Sequence, residues 1–332
     1  MSGEALAVHA PVHVHQARMA AGRAAREAGL AERTVERVVL AVSELATNLQ
    51  KYATGGLLMA IPRPDGLDVV ATDLGPGIAD VPDSMRDGHS TTGTLGVGLG
   101  GVRRMADVVD IHSRPGEGTT VLARWTVAKP PHLGVEVGAA LAAAAGETEC
   151  GDNWVVAHER GVTTVALSDG LGHGPEAASA SAAVTAHVAA NPSAPPGQLI
   201  AAMDADSSVR RGATAAVAQF HPARSTLTFS AVGNSVARLF PGDGTHEALV
   251  STPGIVGRRQ RSGGRAAPVV RPWSGRSRLV MHTDGVTQRW RAEEIAELLA
   301  HDPATAAGWL LGRYGRHRDD SCVVVVGGGE VG

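Results

Sequence analysis

The chain has 332 residues, 43% of them hydrophobic and 3% aromatic, with 30 Lys and Arg against 33 Asp and Glu for a net charge of −3. At roughly 150 residues per domain, that length predicts two domains, each able to bury its own core. The even charge excludes a protein that holds nucleic acid or an anionic membrane by bulk attraction, and the scarcity of aromatics excludes stacking platforms for single strands.

The longest run without a polar side chain, residues 137–146, is about half the ~20 residues of a membrane span. The N-terminus lacks the basic-then-apolar pattern of a secretory leader, so the expected location is the cytoplasm. Cys150 and Cys322 have no partners at metal-ligand spacing and are expected to be packing residues.

In chain order, residues 8–15 alternate apolar residues with His and Pro, which predicts a short strand with His13 and His15 on one face. An Ala-rich helix is expected at 16–27. A second helix is predicted over 32–52, where Val35, Val38, Val39, Val42, Leu45, Ala46 and Leu49 recur at helical spacing before Gly55 and Gly56 stop it. Strands at 57–61 and 67–72 follow, then a Gly-rich loop, a helix near 101–106, and strands at 108–113 and 119–127.

Pro130 and Pro131 mark a boundary. It divides the chain into a first domain at 1–129, a linker at 130–133 and a second domain at 134–332. Strands in the second are predicted at 135–137, 154–158, 163–168, 213–220, 226–232, 237–240, 278–282 and 321–326. Helices are predicted at 175–190, near 199 and at 292–299. Hairpins with intervening helices give an α+β class rather than repeated βαβ units.

Glu44 and Asn48 stand four residues apart on the 32–52 helix and so share a face. Alone they would be an ordinary solvated edge. They are followed by Asp73, Gly75 and Gly77 after a strand, by Gly96, Gly98, Gly100 and Gly101 opening a helix, and by Gly118, Thr119 and Thr120 in a turn. Gly100 breaks the dinucleotide fingerprint and no βαβ unit surrounds it, so the Rossmann reading is rejected. Glycines instead let backbone N–H groups approach phosphates at a helix N-terminus. Asp73 can accept from an adenine amino group, and Asn48 can complete the oxygen shell of a phosphate-bound magnesium.

These blocks, in this order, resemble the Bergerat (GHKL) ATP-binding fold over about residues 8–128. Residues 87–105 resemble the RsbT-like serine/threonine kinases of anti-sigma and stressosome switches, and no phospho-acceptor histidine box suggests a sensor kinase. The resemblance implies an α/β sandwich that uses ATP with Mg²⁺. It makes Glu44 the catalytic base, Asn48 the magnesium ligand, Asp73 the adenine reader, and Thr119 or Thr120 part of the nucleotide floor.

Four acidic turns mark the second half: Asp152, Asp169 with Gly170, Asp284 with Gly285, and Asp319 with Asp320. Such turns are usually only turns. Three of these abut hydrophobic strands, and strand ends meeting at one edge of a β-sandwich would gather charge that needs divalent cations. Two cations sharing a carboxylate would activate water for in-line attack on phosphorus.

Residues 134–327 resemble the metal-dependent (PPM-type) protein phosphatases in their SpoIIE/RsbX-like branch. That resemblance implies an α-β-β-α sandwich with two Mn²⁺ or Mg²⁺ held by Asp152, Asp169, the Gly170 carbonyl, Asp284 and Asp319. Asp169 is the catalytic, bridging ligand. Asp319 is chosen over Asp320 because the family's ligand is the first of its terminal acidic pair. Residues 251–276 are basic and Gly-rich where relatives have a shorter connection, and read as a substrate-docking flap or a loop. Arg258, Arg259 and Arg261 are phosphate-binding candidates on charge alone, and His173 is a candidate proton donor.

Together these features imply a bifunctional switch regulator that phosphorylates and dephosphorylates Ser or Thr on a STAS-domain anti-sigma antagonist or stressosome partner. A downstream phosphatase or anti-sigma factor is a further expected partner; nucleic acid and membrane are not. The alternative is a first domain that holds ATP only to grip a partner or to sense nucleotide for the phosphatase. Glu44 separates the two, because a pure binder needs Asn48 and Asp73 but no base.

Overall fold

The computed structural model describes residues 3–85, 98–127, 129, 131–258, 267–316 and 318–329. The chain forms two compact units, Met1–Pro131 with Ala300–Arg313, and His132–Leu299 with Tyr314–Gly332.

The first unit opens with β1 (Glu4–Ala7) and α1 (Pro11–Glu27) where a strand was expected at 8–15. Pro11, which has no N–H to lose, starts the helix, and the alternating Val and His residues form its first turn. His13 and His15 are therefore helical, and His13 Nδ1 accepts the His9 backbone N–H at 3.1 Å. In α2 (Glu32–Tyr52) the apolar stripe buries Val35, Val38, Val42, Leu45, Ala46 and Leu49. There follow β2 (Leu57–Arg63), β3 (Gly66–Asp73), α3 (Val81–Ser84), α4 (Gly98–Met105), β4 (Val108–Arg114) and β5 (Gly118–Thr126). The strands make one antiparallel sheet in the order β1-β2-β3-β5-β4. One face packs Leu58, Ala60, Leu67, Val69, Ala71, Val121, Ala123 and Trp125 into a core with α1 and α2.

The second unit contains β6 (Val135–Ala142), β7 (Asp152–Glu159), β8 (Val162–Asp169), α5 (Pro175–Ala190), α6 (Pro196–Ala205), β9 (Ala215–His221) and β10 (Thr226–Val232). It continues through β11 (Val236–Phe240), β12 (Glu247–Leu249), β13 (Val269–Pro272), β14 (Arg278–His282) and α7 (Ala292–Ile295). Beyond α8 (Pro303–Tyr314) it ends in β15 (Ser321–Gly328). Two antiparallel sheets result, β13-β10-β9-β8-β7 and β12-β11-β14-β15-β6. On the first, Val184, Val188, Leu199, Ile200 and Met203 of α5 and α6 pack with Val155, Ala166 and Val217. The chain crosses between the sheets at residues 233–235, between β10 and β11.

The sequence does not predict α8, which groups with the first unit. Its apolar residues face every side and two glycines interrupt it. Those glycines lower helix propensity but allow a close seat on the second face of the first unit's sheet. A Cβ on Gly308 would collide with Val70, and one on Gly312 would stand 2.7 Å from Thr72 Oγ1. Trp309 meets His112 edge to face at 4.5 Å.

On this face Asp68 and Arg124 are cross-strand partners. Arg124 Nε donates to Asp68 Oδ1 at 2.6 Å and its Nη1 to Asp302 Oδ2 at 2.7 Å. Arg63 adds a bond to Asp68 at 2.9 Å and two to Asp65 at 2.8 Å.

Arg124→Ala leaves Asp68 and Asp302 without their shared cation and should cost about 3–5 kcal/mol in denaturant unfolding. Asp110 supplies a pH test. Burial pushes its carboxyl up, but the His301 imidazole and the Asp302 N–H outweigh this and hold it at about 2. Its stabilisation is complete above the ordinary carboxylate value near 4 and is lost as pH falls from about 4 towards 2. Asp110→Asn should cost about 2 kcal/mol at pH 7 and flatten that acid limb. An unchanged acid limb would contradict the assignment.

Candidate active sites

In the first unit α2 presents Glu44 and Asn48 half-buried, one turn apart. Asp73 closes β3, and its Oδ1 accepts the Gly75 N–H at 2.7 Å. Burial raises its carboxyl above the ordinary range despite donation from the Gly75 and Thr119 backbones. Gly118, at φ +115°, abuts the Asp73 carbonyl so closely that a Cβ would collide with it. Gly77 lies beyond Gly75 in the same loop, against Arg114.

Thr119 is the register partner of Asp73, and its hydroxyl meets Ser113 Oγ at 2.9 Å. Ser113, which no sequence pattern singled out, also accepts the Ile78 N–H at 2.8 Å and donates to the Gly118 carbonyl at 3.0 Å. Thr120 points to the opposite face and meets Thr72 Oγ1 at 2.7 Å. Of the two threonines only Thr119 shares the face of Asp73, because successive strand residues alternate. Gly98 begins α4, Gly100 and Gly101 are buried in it, and α4 packs on α2. Gly96 lies outside the described residues.

In the second unit Asp152 opens β7 and Asp169 closes β8, directly opposite each other. Like charges so placed destabilise a hairpin. Asp284 follows β14, and Asp319 and Asp320 precede its neighbour β15. Asp152 is 3% exposed, and burial together with Asp169 pushes its carboxyl well up while the Thr283 hydroxyl donates to it at 2.6 Å. Asp169 is pushed up to about 7 by burial and by the charges of Asp284, Asp319 and Asp320. Burial and Asp319 raise Asp284, against Arg316 and the Asn234 amide. The Gly170 N–H donates to the Gly151 carbonyl at 3.1 Å.

Asp320, expected to stand apart, is the buried member of its pair at 3% exposed. Its Oδ1 accepts the Ala144 N–H at 2.9 Å, while Oδ2 is buried against Gly151 without a hydrogen bond. Asp319 is exposed and accepts the Asp320 N–H at 3.0 Å. Among the described residues no group of three or more His, Cys, Asp or Glu side chains stands close enough together to hold a metal ion without movement. The donor set nevertheless suits divalent cations, because the opposed Asp152 and Asp169 have no cationic side chain hydrogen-bonded to them and Asp320 Oδ2 is buried beside them.

His173 is exposed and its Nδ1 meets Glu147 Oε1 at 2.5 Å. Arg258 donates to the Arg211 carbonyl at 3.1 Å, and Arg259 and Arg261 lie outside the described residues. Arg316, which the sequence did not single out, donates its N–H to the Gly285 carbonyl at 2.8 Å, beside Asp284. Burial raises the thiols of Cys150 and Cys322, which behave as packing groups.

The histidine kinase-like ATPase domain family matches residues 8–125, and the Stage II sporulation protein E (SpoIIE) family matches residues 159–327. Serine/threonine-protein kinase RsbT of Bacillus subtilis (strain 168) is 40% identical over 114 residues, which are 33% of this chain and 86% of that protein. A solved structure described under the bacterial stressosome, a modular system adapted to control secondary messenger signalling, aligns at 25% identity with a TM-score of 0.53. It covers 58% of this chain and 98% of its own. RsbX in complex with magnesium aligns at 17% identity and a TM-score of 0.47, over 66% of this chain and 99% of that one. The architecture is thus two-domain α+β, a GHKL-like ATPase fold followed by a SpoIIE-type phosphatase fold. No helix among the described residues is long and apolar enough to cross a membrane.

Asp169→Asn removes one of two opposed carboxylates. At a pH high enough to ionise both, the metal-free variant should therefore be more stable than wild type by about 1 kcal/mol, while Mn²⁺ should raise the melting midpoint of wild type alone. Equal stabilisation of both proteins by Mn²⁺ would contradict the placement of the metal centre.

Proposed function

The chain belongs to the SpoIIE family, and its first unit to the RsbT-like histidine kinase-like ATPases, and from that membership we propose a bifunctional switch regulator. It phosphorylates, and in a separate reaction dephosphorylates, Ser or Thr on a STAS-domain anti-sigma antagonist or stressosome-type partner in the cytoplasm. The kinase is assigned to residues 1–129 and the phosphatase to 134–332, with 130–133 between them. The likeness to RsbT and to the stressosome structure supports the partner class.

The observation that carries the kinase reading is Glu44 beside Asn48 on α2. As the substrate hydroxyl attacks the γ-phosphorus of ATP, the Glu44 carboxylate takes its proton, the bond from that phosphorus to the β–γ bridging oxygen breaks, and ADP leaves. Asn48, one turn on, would hold Mg²⁺ on the phosphates, and Asp73 accepts from the adenine amino group. The amides opening α4 favour the phosphate charge.

In the second unit Asp152, Asp169, the Gly170 carbonyl, Asp284 and Asp319 would hold two Mn²⁺ or Mg²⁺. When bound, these ions supply Lewis acidity and a water of lowered pKa. Arg316, beside Asp284, offers a cation to the phosphate dianion. His173, oriented by Glu147, gives a proton to the departing serine or threonine oxygen.

The competing reading makes the first unit a non-catalytic ATP-dependent binding or sensing module. Glu44→Gln decides between them. It should bind ATP nearly as wild type does and lose roughly 10²–10⁴ in phosphoryl transfer, whereas Asn48→Ala should lose Mg-ATP affinity itself. Transfer at the wild-type rate by Glu44→Gln would favour the binding module.

A further inference from the structure

Asp169 ends a strand of one sheet and Asp284 follows a strand of the other. Their separation is not set by the ladder of either sheet. A chain of polar side chains runs between them. Thr214, 4% exposed and just ahead of β9, donates its N–H to the Asp169 carbonyl at 2.8 Å, and its Oγ1 accepts the Asp169 N–H at 3.2 Å. Both backbone groups of Asp169 are thus held by one residue. The Thr214 carbonyl accepts from Ser168 Oγ at 2.8 Å, and Thr214 Oγ1 meets Ser235 Oγ at 3.1 Å.

Ser235 lies in the turn where the chain crosses between the sheets, and it is 7% exposed. Its neighbour Asn234 donates Nδ2 to Asp284 Oδ2 at 2.7 Å. The turn itself is pinned, since Gly233 donates its N–H to the Thr252 carbonyl at 2.9 Å and accepts from Ser251 Oγ at 2.8 Å.

We infer that Thr214, Ser235 and Asn234 form a positioning wedge that fixes the Asp169 turn relative to the Asp284 turn and so sets the spacing of a two-cation centre. Asn234 has a second effect. By donating to Oδ2 it takes one lone pair of that oxygen and fixes the rotation of the Asp284 carboxylate, with Oδ1 left clear of this contact. All three residues are neutral, so the wedge positions the carboxylates without competing with a cation for their charge. Partners of this kind orient ligands, and their loss typically lowers metal affinity about 10–100-fold. The inference rests on the phosphatase reading above.

The test is Mn²⁺ titration of the full chain by calorimetry, with electron paramagnetic resonance of the loaded protein and melting of the metal-free protein. Wild type should bind two ions with a spin-coupled signal. Asn234→Ala and Thr214→Val should weaken binding of at least one ion about 10–100-fold and show an uncoupled signal, while Thr214→Ser keeps the hydroxyl and stays near wild type. Asn234 is exposed, so Asn234→Ala should leave the metal-free midpoint unchanged and remains decisive if Thr214→Val melts early. Two spin-coupled ions bound equally well by wild type and Asn234→Ala would overturn the wedge alone. A wild type that binds no Mn²⁺ would overturn the phosphatase reading and the wedge with it.

Discussion

Two aspartates face each other across the end of one hairpin, and the second unit is arranged around the charge they create. Asp152 and Asp169 are register partners, and the strands beside them add Asp284, Asp319 and Asp320. The contacts that approach Asp152 and Asp320 are neutral, the Thr283 hydroxyl and the Ala144 N–H. The first unit treats the same problem in the opposite way. There Asp68 and Asp302 share Arg124, and Asp68 takes a further bond from Arg63. Buried carboxylates are matched with guanidinium where they only hold the fold, and left short of cations where the second unit gathers them. That contrast within one chain is the physical ground for reading the gathered set as a cation site.

Much of this was legible in the sequence. The period of α2 and its glycine stop marked both ends of that helix, and hairpin strands such as β10 and β14 read directly from apolar runs between turn residues. Asp169, Asp284 and the Asp319–Asp320 pair stood out because each abuts a predicted strand, whereas Asp152 was singled out as an acidic turn and given its role by the family resemblance. What was not legible depends on long-range contact. Gly308 and Gly312 argue against a helix by propensity, yet α8 uses them to approach Val70 and Thr72, far away in sequence. Residues 8–15 alternate like a strand, but Pro11 starts a helix there. The facing of Thr119 and Thr120 depends on register, and Ser113, Thr214, Asn234 and Arg316 matter through partners on other elements that no local pattern discloses.

Chain order and structural units also part company. Ala300–Arg313 lies between two strands of the second unit in sequence and completes the first unit in space. The first unit's sheet thus has a helical layer on each face, one from its own chain order and one from α8. A boundary drawn from proline content alone does not reveal this, because propensity reports local stiffness and not which sheet a later helix covers.

On the proposed reading, one polypeptide adds a phosphoryl group to a protein hydroxyl and removes it by a separate, cation-dependent route. Both activities are tested most directly by incubating the full chain with γ-labelled ATP, Mg²⁺ and a STAS-domain protein, depleting the ATP, and then adding Mn²⁺ while following label on the partner. Label should move from ATP to Ser or Thr of the STAS-domain protein and then be released as inorganic phosphate once Mn²⁺ is present. Absence of transfer, or label that persists on the partner in Mn²⁺, would contradict that reading.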